Sequence, residues 1–345
     1  MKKFLSILIS AMLILTLCSC SIAGKQRFEK TFIDLFDTAS TLIAYDESQS
    51  AFDEKYGLFY DELKEYDKLY DIYNEYEGVN NLCTVNRLAA KEPVKVDEKI
   101  IDLLEYGKEV YKFSGGAVNI CFGSVLSLWH DARENGLTLP ESAALPDMLA
   151  LENASKHTDI NSLVIDRENC TVFFSDSEMS LDVGAIAKGY AGQKICEYAK
   201  NELWQDFALS LGGNVITSGF KGDGKTKWSI GIENPDTSSQ QALLNVEISD
   251  LCVVTSGDYQ RYFTVDGKNY CHIINKDTLM PSEYFSGVTV ICKDSALADA
   301  LSTTLFNMSY DDGLALVEGM EGVEAVWVDK DYNKSFSSGF ENYIK

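Results

Sequence analysis
Apolar positions recur along this chain at two spacings, and each spacing marks out its own elements. Over residues 28–45, Phe32, Ile33, Leu35 and Phe36, then Thr41, Leu42, Ile43 and Ala44, predict two strands around Asp37-Thr38-Ala39-Ser40. Over residues 50–70, Phe52, Tyr56, Phe59, Tyr60, Leu63 and Tyr66 share one helical stripe. A polar loop rich in tyrosine follows at residues 71–81. Residues 100–113 predict a helix broken by Ser114-Gly115-Gly116, and residues 121–130 a shorter one carrying Trp129. Residues 134–156 are polar and hold Pro140 and Pro146, which suggests a surface excursion with a short helix near 146–152. Two β-branched runs, 163–165 and 172–174, flank a polar turn as in a hairpin. Strands are then predicted over 207–211, 215–219, 228–232, 242–248, 251–255, 261–265, 270–274 and 286–292, and a helix over 296–306.

One stretch between the hairpin and the next helical pattern carries chemistry. It reads Leu181-Asp182-Val183-Gly184-Ala185-Ile186-Ala187-Lys188-Gly189-Tyr190, and after it Ile195, Tyr198, Ala199 and Leu203 recur at helical spacing. This predicts a strand turning into a helix. Gly184 would permit backbone conformations closed to other residues, and free helix N–H groups beside Lys188 would make a resting place for phosphate. The same residues also fit an ordinary β-to-α turn with a solvated lysine. The helix over 296–306 holds a second spacing: Asp299 and Thr303, four apart, put a carboxylate and a hydroxyl on one face. That pair suits a hard cation such as Mg²⁺, or alternatively an exposed Asp beside a Thr bonding its own backbone.

Composition sets the address and the electrostatics. Lys2 and Lys3 precede an apolar run over residues 4–17 that ends in Leu17-Cys18-Ser19-Cys20. A run this short with basic residues before it predicts an export signal, and its end is like a bacterial lipobox, with cleavage before Cys20 and a lipid anchor on it. The expected division is a lipoprotein signal peptide over 1–19, a tether over 20–27 and one domain over 28–345, held at the extracytoplasmic face of the cell membrane. Losing residues 1–19 takes away two lysines and no acid, which moves the net charge from −23 to −25. So acidic a body repels nucleic acid, and an anionic substrate needs a local cluster of cations or a bound metal ion to enter. The seven cysteines beyond Cys20 are odd in number and show no C-x-x-C spacing, and only three histidines occur, which argues against a disulfide framework, zinc or a histidine-rich metal site.

Taken in order, these segments resemble the ApbE-type FAD:protein FMN transferases of bacteria. Phe36-Asp37-Thr38 stands where that family has Met-Gly-Thr, and Tyr73 with Asn86 matches its Y-x-x-x-S-x-(I/L)-x-x-(L/I)-N segment loosely. Residues 114–120 fall on its T-D-G-A-F-D-(I/P) loop, and 181–191 on I-D-L-G-G-I-A-K-G-Y-A. Residues 210–213 resemble N-x-G-G, 255–259 match T-S-G-D-Y, 272–281 follow H-I-L-D-P-x-T-G-x-P, and 298–303 match A-D-A-L-(A/S)-T. Two segments depart from the pattern: S-G-G-A-V-N loses both carboxylates, at Gly115 and Asn119, and N-K-D-T-L replaces D-P-x-T-G at 275–279.

The resemblance implies a single α+β catalytic domain of mixed sheets and packed helices. It also implies an enzyme that binds FAD and Mg²⁺, splits the pyrophosphate, releases AMP and joins FMN to a Thr or Ser hydroxyl of an acceptor protein. Carried over, the ion would be held by Asp299, Thr303 and the main-chain oxygen of Ala185. FAD would contact Phe36, Tyr73, Ala117, Val118, Asn119, Asp182, Lys188 and Ile274. The attacking hydroxyl must lose a proton, to His272 or Asp258, with His272 favoured by its ordinary pKa. Rival readings are an FAD pyrophosphatase with water as acceptor and a non-catalytic flavin-binding lipoprotein.

Overall fold
The computed structural model describes residues 24–239 and 241–345. The expected signal peptide and Cys20 lie outside the described residues.

Strands β1 (Gln26–Leu35) and β2 (Thr38–Asp46) pair antiparallel through a two-residue turn in which Phe36 and Asp37 both take positive φ, 55° and 51°. Helix α1 (Gln49–Tyr70) starts at Ser48, whose side chain accepts from the Ala51 N–H. Then come α2 (Leu82–Leu88), capped by Asn81, β3 (Val94–Lys95), α3 (Glu98–Phe113), α4 (Gly123–Thr138) and α5 (Met148–Ala154). The hairpin β4 (Leu163–Asp166) and β5 (Thr171–Phe174) stands where the alternation predicts it. Helix α6 (Ala187–Glu202) leads into β6 (Phe207–Leu211), β7 (Asn214–Ser218), β8 (Trp228–Ile232), β9 (Leu244–Ile248) and β10 (Cys252–Gly257). The hairpin β11 (Tyr262–Val265) and β12 (Lys268–Cys271) precedes β13 (Gly287–Cys292) and α7 (Ser295–Phe306). The chain closes with α8 (Tyr310–Glu318), β14 (Glu324–Val328) and β15 (Lys334–Phe336).

An eight-stranded antiparallel sheet in the order β1-β2-β6-β7-β10-β13-β14-β15 is the frame. Its central strands are covered on both faces. Along β13 and β14, Val288, Val290, Ala325 and Trp327 pack under α7 and α8, while Ile291 and Val326 point the other way, onto the β8–β9 hairpin and Phe340. That period of two is why these strands read as continuous apolar runs. Full burial of one such Val or Ile side chain contributes roughly 1.5–3 kcal/mol. A separate core forms where α3, α6 and the β3-β5-β4 sheet meet, around Ile100, Leu104, Phe174 and Ile186. A third set, Phe122, Trp129, Phe263, Ile274 and Leu279, joins α4 to the β11–β12 hairpin.

Three expectations change. The strand expected before α6 does not form: Leu181 is held by a side chain, donating its N–H to Asn86 Oδ1 (2.7 Å) while its carbonyl accepts from Asn86 Nδ2 (2.9 Å), and Asp182 N–H donates to the Ile120 carbonyl. Helix α4 runs on to Thr138, through residues whose polarity suggested a loop, and Gly136 in its last turns lies so close to Phe263 that a β-carbon there would sit 2.9 Å from the ring. Beyond Phe306, α8, β14 and β15 extend the sheet, which the motif-led reading left unassigned.

Candidate active site
The turn at 181–190 works differently from its local reading. Gly184 takes a backbone conformation open to any residue, and its N–H donates to Asp182 Oδ1 at 2.8 Å. Gly189 is the constrained glycine, since a β-carbon there would lie 2.3 Å from Asp299 Cβ and 2.5 Å from the Ser295 carbonyl. Helix α6 starts at Ile186 with no side-chain cap of its own, and its Gly189 N–H donates to Asp299 Oδ2 at 2.7 Å. The carboxylate of α7 therefore caps α6, so part of the expected phosphate rest is filled by Asp299.

Asp299 is buried, 5 % exposed, and Thr303 lies one turn along the same face of α7. Burial raises the Asp299 pKa, against the positive charge of Lys188 and the Gly189 N–H. A nearby cation favours the charged form of a carboxylate in that position. Asp299, Thr303 and Ala185 all line a cavity of ≈ 600 Å³. Carboxylate, hydroxyl and main-chain carbonyl are hard oxygen donors, so these residues fit Mg²⁺ with phosphate and water to complete the shell. Among the described residues there is no group of three His, Cys, Asp or Glu side chains able to hold a metal.

The same cavity is lined by Tyr73, Ala117, Val118, Asn119, Asp182, Lys188, His272 and Ile274. Tyr73 stacks on His130 with ring centroids 5.0 Å apart. Burial raises the pKa of Asp182, which the Gly184 N–H, His130 and Arg261 partly offset. The Asn119 amide is spent on structure: its Nδ2 donates to the Thr158 carbonyl and its Oδ1 accepts from the Cys121 N–H. At the second departure, Asn275 Oδ1 accepts from the N–H groups of Asp277 and Thr278, and Leu279 gives its carbonyl to Trp129 Nε1, so this segment closes as a turn.

His272 is fixed by Arg261. The Arg261 carbonyl accepts from the His272 N–H (3.0 Å) and lies 3.2 Å from Nδ1. A carbonyl only accepts, so Nδ1 carries the proton and Nε2 keeps its lone pair. His272 is exposed by surface area, yet enclosure by the surrounding protein and the charges of Arg261, Lys188 and Arg133 hold its pKa below the ordinary 6.5. His272 is thus neutral at physiological pH, with one nitrogen free to take a proton.

Two of the residues named from sequence stand off the wall. Phe36 donates its N–H to Asp67 Oδ1 (2.7 Å) and wedges between two cores, while its neighbours Asp37, Thr38 and Ala39 face the cavity. Asp258 does not line the cavity either: its carboxylate accepts from Lys330 Nζ at 2.7 Å, whereas His272, the other candidate base, does line it. Sequence reasoning missed His130, Arg133 and Arg261 on the wall and the apolar floor of Trp129 and Phe263. No local spacing marked them, and the one signal was the need for cations in so acidic a chain.

Residues 36–327 match the family model described as the ApbE family. The chain is 31 % identical over 269 residues to the FAD:protein FMN transferase of Klebsiella pneumoniae (strain 342), covering 78 % of this chain and 81 % of that one. It is 32 % identical over 277 residues to the enzyme of the same name from Treponema pallidum (strain Nichols), covering 76 % and 75 %. The crystal structure of the ApbE protein of Thermotoga maritima superimposes with a TM-score of 0.80 at 27 % identity, over 93 % of this chain and 100 % of that one. The flavin transferase ApbE of Vibrio cholerae shares the fold, with a TM-score of 0.76 at 22 % identity over 92 % and 99 %.

Proposed function
The chain belongs to the ApbE family and is an FAD:protein FMN transferase, and from that premise we propose a Mg²⁺-dependent reaction in which a Thr or Ser hydroxyl of an acceptor protein attacks the FMN phosphorus of FAD and AMP departs. The observation that carries this is that Asp299 and Thr303, with Ala185 and Lys188 from a segment more than a hundred residues away, line the same cavity. Mg²⁺ held there would neutralise charge on the phosphate oxygens. The chain's own groups do the rest. Lys188 attracts the diphosphate, and Tyr73 offers a ring face to a planar part of FAD. His272 Nε2 takes the hydroxyl proton, held in the right tautomer by the Arg261 carbonyl. Little covalent chemistry is asked of the protein, because phosphoryl transfer depends mainly on positioning and charge.

The test is to incubate the purified protein with FAD, Mg²⁺ and a candidate acceptor, then weigh the acceptor and measure AMP. A gain of one FMN with equimolar AMP, lost in EDTA, is expected. AMP without a mass gain would make it a pyrophosphatase, and no AMP at all a flavin-binding protein. We also propose lipid anchoring at Cys20 on the extracytoplasmic face of the cell membrane, which the leader supports. Fatty-acid labelling should tag the protein, and label persisting in Cys20→Ala would refute the anchor.

A further inference from the structure
The cavity wall carries three cations, Lys188, Arg133 and Arg261, beside three carboxylates, Asp37, Asp182 and Asp299, and the cations keep different company. Lys188 stands with Asp299, whose pKa it lowers. Arg133, on α4, and Arg261, just before β11, both bear on Tyr73, and they share His272 with Lys188. Helix α4 packs on β11, and both arginines line the same cavity. Among the described residues neither hydrogen-bonds a carboxylate of the cavity, although the charge of Arg261 reaches Asp182. Arg133 Nε is buried without a partner, while its Nη2 reaches the outward-facing Glu134 at 3.1 Å and His130 Nδ1 at 3.4 Å. Among the described residues the Arg261 guanidinium makes one hydrogen bond, from Nη2 to the main-chain oxygen of Asp37 at 3.4 Å. In a protein of net charge −23, two cavity arginines in this state mark an anion site.

We propose that Arg133 and Arg261 form a phosphate-monoester subsite, distinct from the Lys188 and Asp299 end, that grips the phosphate departing with AMP. The inference rests on the FAD-cleaving reading above, and it follows from how charge moves. Each phosphate of FAD carries one negative charge. When the acceptor oxygen bonds to the FMN phosphorus, the bond from that phosphorus to the bridging oxygen breaks. The bridging oxygen leaves with its electron pair on AMP, and the acceptor proton passes to His272. FMN remains a singly charged diester, whereas AMP becomes a dianion above its second pKa of about 6. Guanidinium groups placed for that growing charge bind the departing phosphate more tightly than the same phosphate within FAD, which is the condition for accelerating the cleavage.

Calorimetric titration of the purified protein with AMP, FAD and adenosine tests this in the wild type, Arg133→Gln and Arg261→Gln, with thermal melts to establish folding. Because His272 is held by the Arg261 main chain, the side-chain change leaves that contact in place. At about pH 7.5 each variant should lose about 10-fold in AMP affinity, the scale of one charged hydrogen bond, and no more than about 3-fold in FAD affinity. Adenosine binding should not change. The AMP loss should shrink near pH 5, where the monoester carries a single charge, and Arg261→Lys should recover part of it. Equal losses for AMP and FAD, a similar loss for adenosine, or AMP affinity unchanged in both variants would overturn the subsite. Wild-type protein that cleaves FAD while the variants show no such selectivity would sink this inference alone; wild-type protein that releases no AMP from FAD would sink the reading beneath it.

Discussion

Gly189→Ala tests whether the contact between α6 and α7 sets the geometry of the ion wall. The added β-carbon would sit 2.3 Å from Asp299 Cβ and 2.5 Å from the Ser295 carbonyl, where carbon atoms settle at about 3.5–4.0 Å. The helices must therefore part by roughly 1 Å or more, because a main-chain oxygen cannot swing aside. Overpacking of this kind costs about 1–3 kcal/mol, and for a protein of this size each kcal/mol lowers the thermal midpoint by about 2–4 °C. The larger effect falls on chemistry: the shift moves Asp299 and Thr303 away from Ala185 and Lys188, and a misplacement near 1 Å can cost about 100-fold in rate. Gly192→Ala is the control. There the new β-carbon meets the tip of the Ile216 side chain at 2.8 Å, which can turn away, so stability falls less and turnover holds. The assay is AMP release from FAD with acceptor present, beside thermal melts and FAD titration. A Gly189→Ala protein with wild-type melting and turnover, or one no worse than Gly192→Ala, would refute the reasoning.

Lys188→Ala should weaken FAD binding by roughly 1–3 kcal/mol if its ammonium meets a phosphate, and unchanged affinity in a folded variant would make it a solvated lysine. Burial raises the Asp299 pKa above 3.8, so the folded protein keeps that proton to higher pH than the unfolded chain, and stability declines as pH rises from there through the folded value. In EDTA, Asp299→Asn should therefore gain thermal midpoint over wild type as pH rises from about 4, and with Mg²⁺ restored it should lose AMP release; a gap in midpoint that does not vary with pH would contradict the buried charge. The acid limb of the transfer rate should fall below pH 6.5, since His272 is held neutral. His272→Ala should lose about 100-fold or more in rate with FAD affinity little changed, and a variant that keeps its rate would remove His272 as the base.

The sequence by itself determined most of the elements and the core of the site. Period-two runs became the central strands, and the tyrosine-striped helical pattern became α1, because burial on one or both faces writes itself into local spacing. Asp299 and Thr303 were legible for the same reason: one helix carries both. What the sequence could not display is whatever depends on two segments meeting. Leu181 has the composition of a strand but finds a side-chain partner in Asn86 instead of a ladder. The cap of α6 is a carboxylate 110 residues further on, which turned the apparent phosphate rest into a helix junction and made Gly189 rather than Gly184 the constrained glycine. Asp258 looked free to act as a base until Lys330, from the turn between β14 and β15, took it up. Arg133 and Arg261 lie in unremarkable local sequence, and only the packing of α4 on the β11–β12 hairpin brings both to one cavity. Spacing along a chain records which faces are buried, whereas the joining of distant charges is settled by tertiary packing, and the chemistry of this cavity is built from such joins.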